Sequence, residues 1–303
     1  MAVVWVTGGA GFIGSALLNL LSQQGHVVAG IGGAAPAGHA ESSAAWAPGR
    51  IRMGGLDALA AQTGAPDYIH HLAGGSSVGV SIADPFADFE KTVAGSAILL
   101  EWMRQASPAA SLVVASSAAV YGVGHDGAIP VTAAPKPCSP YGRHKQIMEL
   151  MCRSYAESYG IRASIVRLFS VYGPGLRKQL LWDLCGKLSI QGSAVLGGTG
   201  DELRDWVHVD DVCRLLAKAA DLASLDVPVI NGGTGVATSV RDIAQMTARS
   251  FDLSDAAISF SGLCRAGDPF SLVAARPAEA FDWRHDLAQG IASYVAWFKR
   301  NNA

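Results

Sequence analysis

The stretch Ser139-Pro140-Tyr141-Gly142-Arg143-His144-Lys145 holds the residue types needed to move a proton to and from an oxygen atom. Ser139 followed by Pro140 reads as the N-cap and first residue of a helix. Tyr141 and Lys145 are then i and i+4, on one face of that helix. A free tyrosine, with a pKa of about 10, is no base at neutral pH. An ammonium held nearby favours the phenolate and lowers that value, so the spacing predicts a depressed tyrosine pKa. Such a pair accepts a proton from an alcohol and donates one to a carbonyl. The same spacing also describes a packed ring beside a solvated amine, so the reading depends on what else the chain brings.

A second candidate set lies upstream. Ser111–Ala115 is an apolar run that delivers Ser116-Ser117-Ala118-Ala119-Val120-Tyr121-Gly122. Serines at the carboxyl end of a parallel strand lie where α/β sheets bind ligands.

The elements that position these groups begin at the N-terminus. Val3–Thr7 is a buried strand that runs into Gly8-Gly9-Ala10-Gly11-Phe12-Ile13-Gly14. A helix follows with Ile13, Leu17, Leu18 and Leu21 on one face, and Val27–Ile31 is the next strand. A glycine-rich turn between the first strand and helix lets backbone N–H groups approach a pyrophosphate, helped by the helix dipole. The second strand of such a unit ends in an acid that bonds a ribose; here Gly32 stands at that place, and the choice between NAD and NADP stays open.

Composition narrows the classes. The chain has 303 residues, half of them hydrophobic and 16% charged, which makes a compact globular protein with a substantial core. A net charge of −2 gives no reason to expect nucleic acid or an anionic membrane as a partner. No segment reaches the roughly 20 apolar residues of a membrane span, and the N-terminal run is too short for a secretory leader, so a cytoplasmic protein is expected. The five cysteines are scattered without a C-x-x-C pair and read as reduced thiols. His70 and His71 alternate across a strand and lack a third ligand, so they read as structural, and no metal is expected.

Along the rest of the chain, Ala34–Gly49 reads as a loop, Arg50–Met53 as a short strand and Asp67–Leu72 as another. Asp84-Pro85 starts a long helix to about Gln105; Ala163–Leu168 is a strand, and Arg177–Ile190 is helical. Helices at Val212–Leu222, Val240–Ser250 and Ala288–Lys299 and a strand at Val227–Ile230 follow. Together these elements describe an α/β protein.

These blocks in this order, covering essentially the whole chain, resemble the extended short-chain dehydrogenase/reductase family, in its nucleotide-sugar epimerase, dehydratase and reductase branch. The likeness is carried by Thr7–Gly14, His71-Leu72-Ala73, Ser116–Gly122, Tyr141-x-x-x-Lys145, Arg167–Gly175, Arg204–Asp211, Asn231–Gly235 and Arg265–Asp268. It implies a Rossmann-type doubly wound parallel sheet with a smaller C-terminal substrate-binding domain. The core would span 1–168, with 205–235 returning to it, and 169–303 would mainly bind a nucleotide-sugar. By the same resemblance Tyr141 is the acid/base, Lys145 holds the nicotinamide ribose and tunes it, and Ser117, with Ser116 as fallback, bonds the reacting sugar oxygen. NAD, with NADP not excluded, would lie on Gly8, Gly11, Phe12, Ile13, Gly14, Leu72, Ala73, Tyr141 and Lys145. Ser170, Arg204 and Arg265 would contact the nucleotide-diphosphate sugar, the arginines by bidentate bonds to phosphate. The implied assembly is a homodimer built on helices 84–105 and 141–158.

The chain departs from the family pattern at Gly32, at Gly54-Gly55 where an adenine-contacting acid is usual, at Ser170 for an asparagine, and at Ala119 for the dehydratase glutamate. The last speaks against a dehydratase. The implied activity is a nucleotide-sugar 4-epimerase passing through a 4-keto sugar. The alternatives are a 4-keto-6-deoxy-sugar reductase and a non-catalytic dinucleotide sensor.

Overall fold

The computed structural model describes residues 1–35, 45–263, 269–275 and 281–302. In chain order its strands are β1 (Val3–Thr7), β2 (Val27–Gly32), β3 (Ala45–Pro48), β4 (Tyr68–His71), β5 (Ser111–Ser117), β6 (Ala163–Leu168), β7 (Ser170–Tyr172), β8 (Ala194–Leu196), β9 (Leu203–His208), β10 (Val229–Gly232), β11 (Ala237–Ser239), β12 (Ile258–Phe260) and β13 (Ser271–Leu272). The helices are α1 (Phe12–Gln23), α2 (Met53–Thr63), α3 (Val78–Ala83), α4 (Pro85–Phe89), α5 (Gly95–Ala106), α6 (Pro140–Tyr159), α7 (Gln179–Gln191), α8 (Val209–Asp221), α9 (Val240–Arg249) and α10 (Leu287–Asn302). The chain forms two compact units. One holds Met1–Gly122, Ala134–Leu168 and Cys213–Ile230; the other holds Val123–Ala133, Phe169–Val212 and Asn231–Ala303.

The first unit carries a seven-stranded sheet in the order β10-β6-β5-β4-β1-β2-β3, with parallel registers from β6 through β3. The order reverses between β1 and β4, and in such sheets ligands bind beyond the carboxyl ends of the strands at that reversal. Thr7-Gly8 and His71-Leu72 stand there. Strands buried on both faces need continuous apolar runs, and β1 and β5 have them. Trp5 and Trp102 pack in the centre with ring centroids 5.0 Å apart. Replacing either by alanine would cost about 3–5 kcal/mol.

Two sequence expectations change here. Arg50–Met53 is no strand. The edge strand is β3, inside the expected loop, because Ala45 and Ala47 face the core while the Trp46 ring covers Gly30, where a Cβ would come within 2.1 Å of it. Arg52 instead stands at the N-cap position of α2, which sends Leu56 and Leu59 into the core. The strand expected at Val227–Ile230 starts at Val229, since Val227 itself takes φ 49° in the turn before it. The helical stretch from Asp84 follows the expected course, but Glu90–Ala94 winds as a π-helix between α4 and α5.

In the second unit β9 is central, flanked by β11 and β13, and β7 also pairs with it. Asp205 on β9, fully buried, accepts from Thr234 N and Oγ1 (both 2.8 Å), Gly235 N (2.8 Å) and Ala274 N (3.2 Å). A buried carboxylate satisfied this fully ties two loops to one strand.

Candidate active site

Ser139 caps α6 through its hydroxyl, which accepts from Gly142 N at 3.1 Å, and Pro140 takes the first helical position. Gly160 closes the helix in the left-handed conformation at φ 72°. Gly142 has a second duty. A Cβ there would lie 2.6 Å from the carbonyl oxygen of Ala119, so glycine lets α6 approach the turn after β5. That approach brings the Ser117 hydroxyl up to the Tyr141 side chain, close enough to act on its ionisation. Ser117 is aimed further by accepting from Ala119 N at 3.2 Å. From the other side, Tyr141 N donates to Ser81 Oγ at 3.0 Å.

Lys145 lies buried beneath the ring. Its Nζ donates to the Ala115 carbonyl on β5 at 2.9 Å and stands 5.9 Å from the Tyr141 ring centroid. Burial pulls its pKa down to about 8, opposed by the carboxylates of Asp88 and Glu149. The depressed tyrosine pKa expected from spacing is not found. Burial pushes Tyr141 above its ordinary value and the negative charge of Asp88 adds to this, while the Ser117 hydroxyl offsets part. At neutral pH Tyr141 is therefore a phenol, poised to donate. To act as a base it needs additional positive charge or hydrogen bonds at the oxygen.

Ser116, one residue away, serves a different network. It donates to Glu149 Oε1 at 2.6 Å, and Arg167 Nε and Nη2 donate to the same carboxylate at 2.9 and 2.6 Å. The Arg167 guanidinium stacks over the Tyr121 ring at 4.7 Å. All of this is buried, so Ser117 alone of the two serines meets Tyr141.

The glycine loop has the form a pyrophosphate needs. Gly8 takes φ 71°, and a Cβ on Gly14 would lie 2.2 Å from Gly8 O, so helix and turn close tightly. Gly11 precedes α1 with no side chain capping the helix, which leaves its first-turn amides to an anion. Phe12, Ile13 and Gly14 form that first turn. Leu72 N donates to Thr7 O at 3.1 Å and Ala73 N to Thr7 Oγ1 at 3.2 Å, fixing both beside the loop. His71 is spent on structure, with Nδ1 2.7 Å from Thr7 Oγ1 and Nε2 2.8 Å from Ser96 Oγ. At Gly32 a Cβ would lie 3.1 Å from Ala10 N, and its carbonyl accepts from Gly49 N. The residues present fit a dinucleotide, with Gly32 offering its ribose no carboxylate.

Ser170 and Arg204 lie in the second unit. Ser170 on β7 stands opposite Trp206 of β9, and Arg204 Nη1 donates to the carbonyls of Leu203 (2.8 Å) and Phe270 (3.3 Å). Arg265 falls outside the described residues. Reading the sequence missed Asp88, 3% exposed, whose Oδ2 lies 2.5 Å from His144 Nδ1. An acid in the first turn of a helix ordinarily serves as a partner for the helix dipole, so its type and place gave no sign of this contact. It missed Glu149 as well, an i+4 neighbour of Lys145 on the buried face.

With this sheet order, loop and Ser–Tyr–Lys set, the chain belongs to the NAD dependent epimerase/dehydratase family, which matches residues 4–231. It is 31% identical to the UDP-glucose 4-epimerase of Mycolicibacterium smegmatis, over 98% of each chain. Among solved structures it is similar to MoeE5 in complex with UDP-glucose and NAD, at 30% identity, 99% coverage of both chains and a TM-score of 0.87. It is also similar to the dTDP-glucose 4,6-dehydratase DesIV of Streptomyces venezuelae with NAD and TYD bound, at 26% identity, 99% and 97% coverage and a TM-score of 0.87. Among the described residues no helix is long and apolar enough to cross a membrane.

Proposed function

We propose that this protein is an NAD-dependent nucleotide-sugar 4-epimerase working through a transient 4-keto sugar. The observation that carries the reading is the convergence of Ser117 on Tyr141 with Lys145 buried one helical turn on. Tyr141 takes the proton of the sugar 4-hydroxyl as that carbon is oxidised and gives it back on reduction. Ser117 bonds the same oxygen and holds it at Tyr141. Lys145, with its Nζ anchored on Ala115 O, supplies positive charge beneath the phenol and hydrogen-bonds the cofactor ribose. When bound, NAD accepts and returns the hydride at nicotinamide C4; Gly8, Gly11, Phe12, Ile13, Gly14, Leu72 and Ala73 would hold it. Ala119 presents only a methyl group where elimination would need an acid, which favours epimerisation over dehydration.

In the same reading the second unit grips the nucleotide diphosphate through Arg204, Arg265 and Ser170, with a UDP-sugar as the first substrate to try. The protein works as a cytoplasmic homodimer. The apolar side chains of Phe86 (70% exposed) and Leu150 (58%) on α4 and α6 support that pairing.

The test is to incubate enzyme with UDP-glucose or UDP-N-acetylglucosamine and catalytic NAD, without reductant. The C4 epimer should exceed the NAD supplied, with no steady growth of NADH absorbance. If nucleotide sugars are inert while a 4-keto-6-deoxy sugar consumes NAD(P)H stoichiometrically, a ketoreductase replaces this reading.

A further inference from the structure

His208, Asp210 and His285 meet in the second unit, from the end of β9, the first turn of α8 and the segment before α10. Asp210 Oδ2 lies 3.5 Å from His208 Nδ1 and 3.5 Å from His285 Nε2. The partners of each ring identify its tautomer. His285 Nδ1 lies 3.0 Å from Asp211 Oδ1, and a carboxylate only accepts, so Nδ1 carries the hydrogen, and in the neutral ring Nε2 is the nitrogen with the lone pair. Asp211 is 2% exposed and also accepts the N–H groups of Arg284 and His285, both at 3.1 Å, so this orientation is well anchored. His208 Nδ1 accepts from Asp210 N at 3.3 Å, so it carries no hydrogen, and its lone pair turns to an ion only by giving up that long bond. With His285 neutral, two ring nitrogens and a carboxylate oxygen converge, and the one hydrogen among them is the Asp210 N–H on His208. The Asp210 carboxylate and the His285 Nε2 lone pair need a shared cation, a proton or a metal ion, to sit this close.

We propose that His208, Asp210 and His285 bind one zinc-class divalent cation, with Asp211 as the residue that orients His285. Two imidazoles and a carboxylate are a ligand set of zinc and its first-row neighbours, not of magnesium or calcium. Metal–ligand bonds of about 2.0–2.2 Å in a tetrahedron place ligand atoms about 3.4 Å apart, close to the two separations at Asp210. The three ligand atoms all lie within 4.8 Å. The two rings stack at 4.0 Å and 15°, so their lone pairs run side by side. His285, with 34% of its side chain exposed, swings about its bond to Asp211 to converge on the ion. A carboxylate behind a ligating histidine is the usual support of such sites. Water completes the fourth position. The ion cross-links β9, α8 and the segment before α10, so its effect is to stabilise this unit, and the inference stands independently of the proposed activity.

The experiment uses full-length, tag-free protein stripped with EDTA and dialysed against zinc chloride at neutral pH, followed by metal analysis and thermal unfolding. The expected result is one zinc per chain at micromolar free metal and a raised melting temperature that magnesium does not reproduce. His285→Ala should abolish this uptake. Its melting temperature in EDTA should fall somewhat, since the buried Asp211 loses a partner, and zinc should no longer raise it. Asp211→Asn should weaken binding about 10–100-fold. The proposal is overturned if the wild type takes up no zinc below millimolar concentrations, in which case a proton on His285 bridges Asp210. It is overturned equally if His285→Ala binds zinc as the wild type does, which would place the ion on other side chains.

Discussion

Ser117 stands close to Tyr141 because Gly142, next to the tyrosine, has no Cβ to strike the carbonyl oxygen of Ala119. Tyr141→Phe removes one oxygen and keeps the ring, so the fold and the affinity for NAD should persist. Turnover should fall about 10²–10⁴-fold, the range for loss of a general acid/base. The check is steady-state kinetics beside an NAD titration; a mutant turning over at the wild-type rate rules out Tyr141.

The two adjacent serines should separate by readout. Ser117→Ala should lower kcat with little change in stability, because its hydroxyl serves Tyr141 and a short turn. Ser116→Ala removes a buried donor from the Glu149–Arg167 pair and should cost about 1–2 kcal/mol in denaturant unfolding while kcat stays near normal. The opposite pattern would assign the sugar contact to Ser116.

Glu149 and Arg167 form a salt bridge with side chains 4% and 5% exposed. Glu149→Ala leaves the guanidinium buried and uncompensated, and should destabilise the protein by about 3–5 kcal/mol. Glu149→Leu combined with Arg167→Leu should be milder than that single change, because no charge is stranded. Urea titrations of the three proteins decide it; a double mutant worse than the single one would mean that the pair is a net stabiliser.

Stability should fall on the acid side of neutrality. Burial lowers His70 to about 4 and His71 to about 3, the latter helped by Lys145. Both are neutral in the folded protein, whereas in the unfolded chain they take up protons below pH about 6.5. The unfolded state then binds more protons, so their contribution is complete above that pH and declines as pH falls through it. At pH 5 each should have lost about 2 kcal/mol. His70→Leu, which also removes a buried Nδ1 without a partner, should halve the proton uptake that accompanies unfolding between those pH values. An unchanged pH dependence would show that His70 is not buried neutral.

How far the chain could be read in advance follows from the range of the forces involved. Ser139-Pro140 and Gly160 bound α6 by caps that need only neighbouring residues, and the glycines after β1 and the apolar runs of β1, β5 and β6 are equally local. The candidate pair Tyr141 and Lys145 was legible for the same reason, since their spacing on one helix face survives any packing, while Ser117, with Ser116 as fallback, was marked by the family resemblance. β3 was not, because four residues reading A-W-A-P make a strand only when Trp46 finds the bare surface of Gly30 on β2. Nor could local spacing, apart from the resemblance, choose between the two serines. Ser116 turns to Glu149, itself held by Arg167 from β6, and those partners lie 33 and 18 residues apart in the chain. The protonation of Tyr141 was decided last of all. An i,i+4 lysine argues for a lowered pKa, yet desolvation and the distant charge of Asp88 outweigh it. Periodicity, caps and turns act between neighbours, whereas burial and the electrostatics it amplifies exist only once remote segments have packed together.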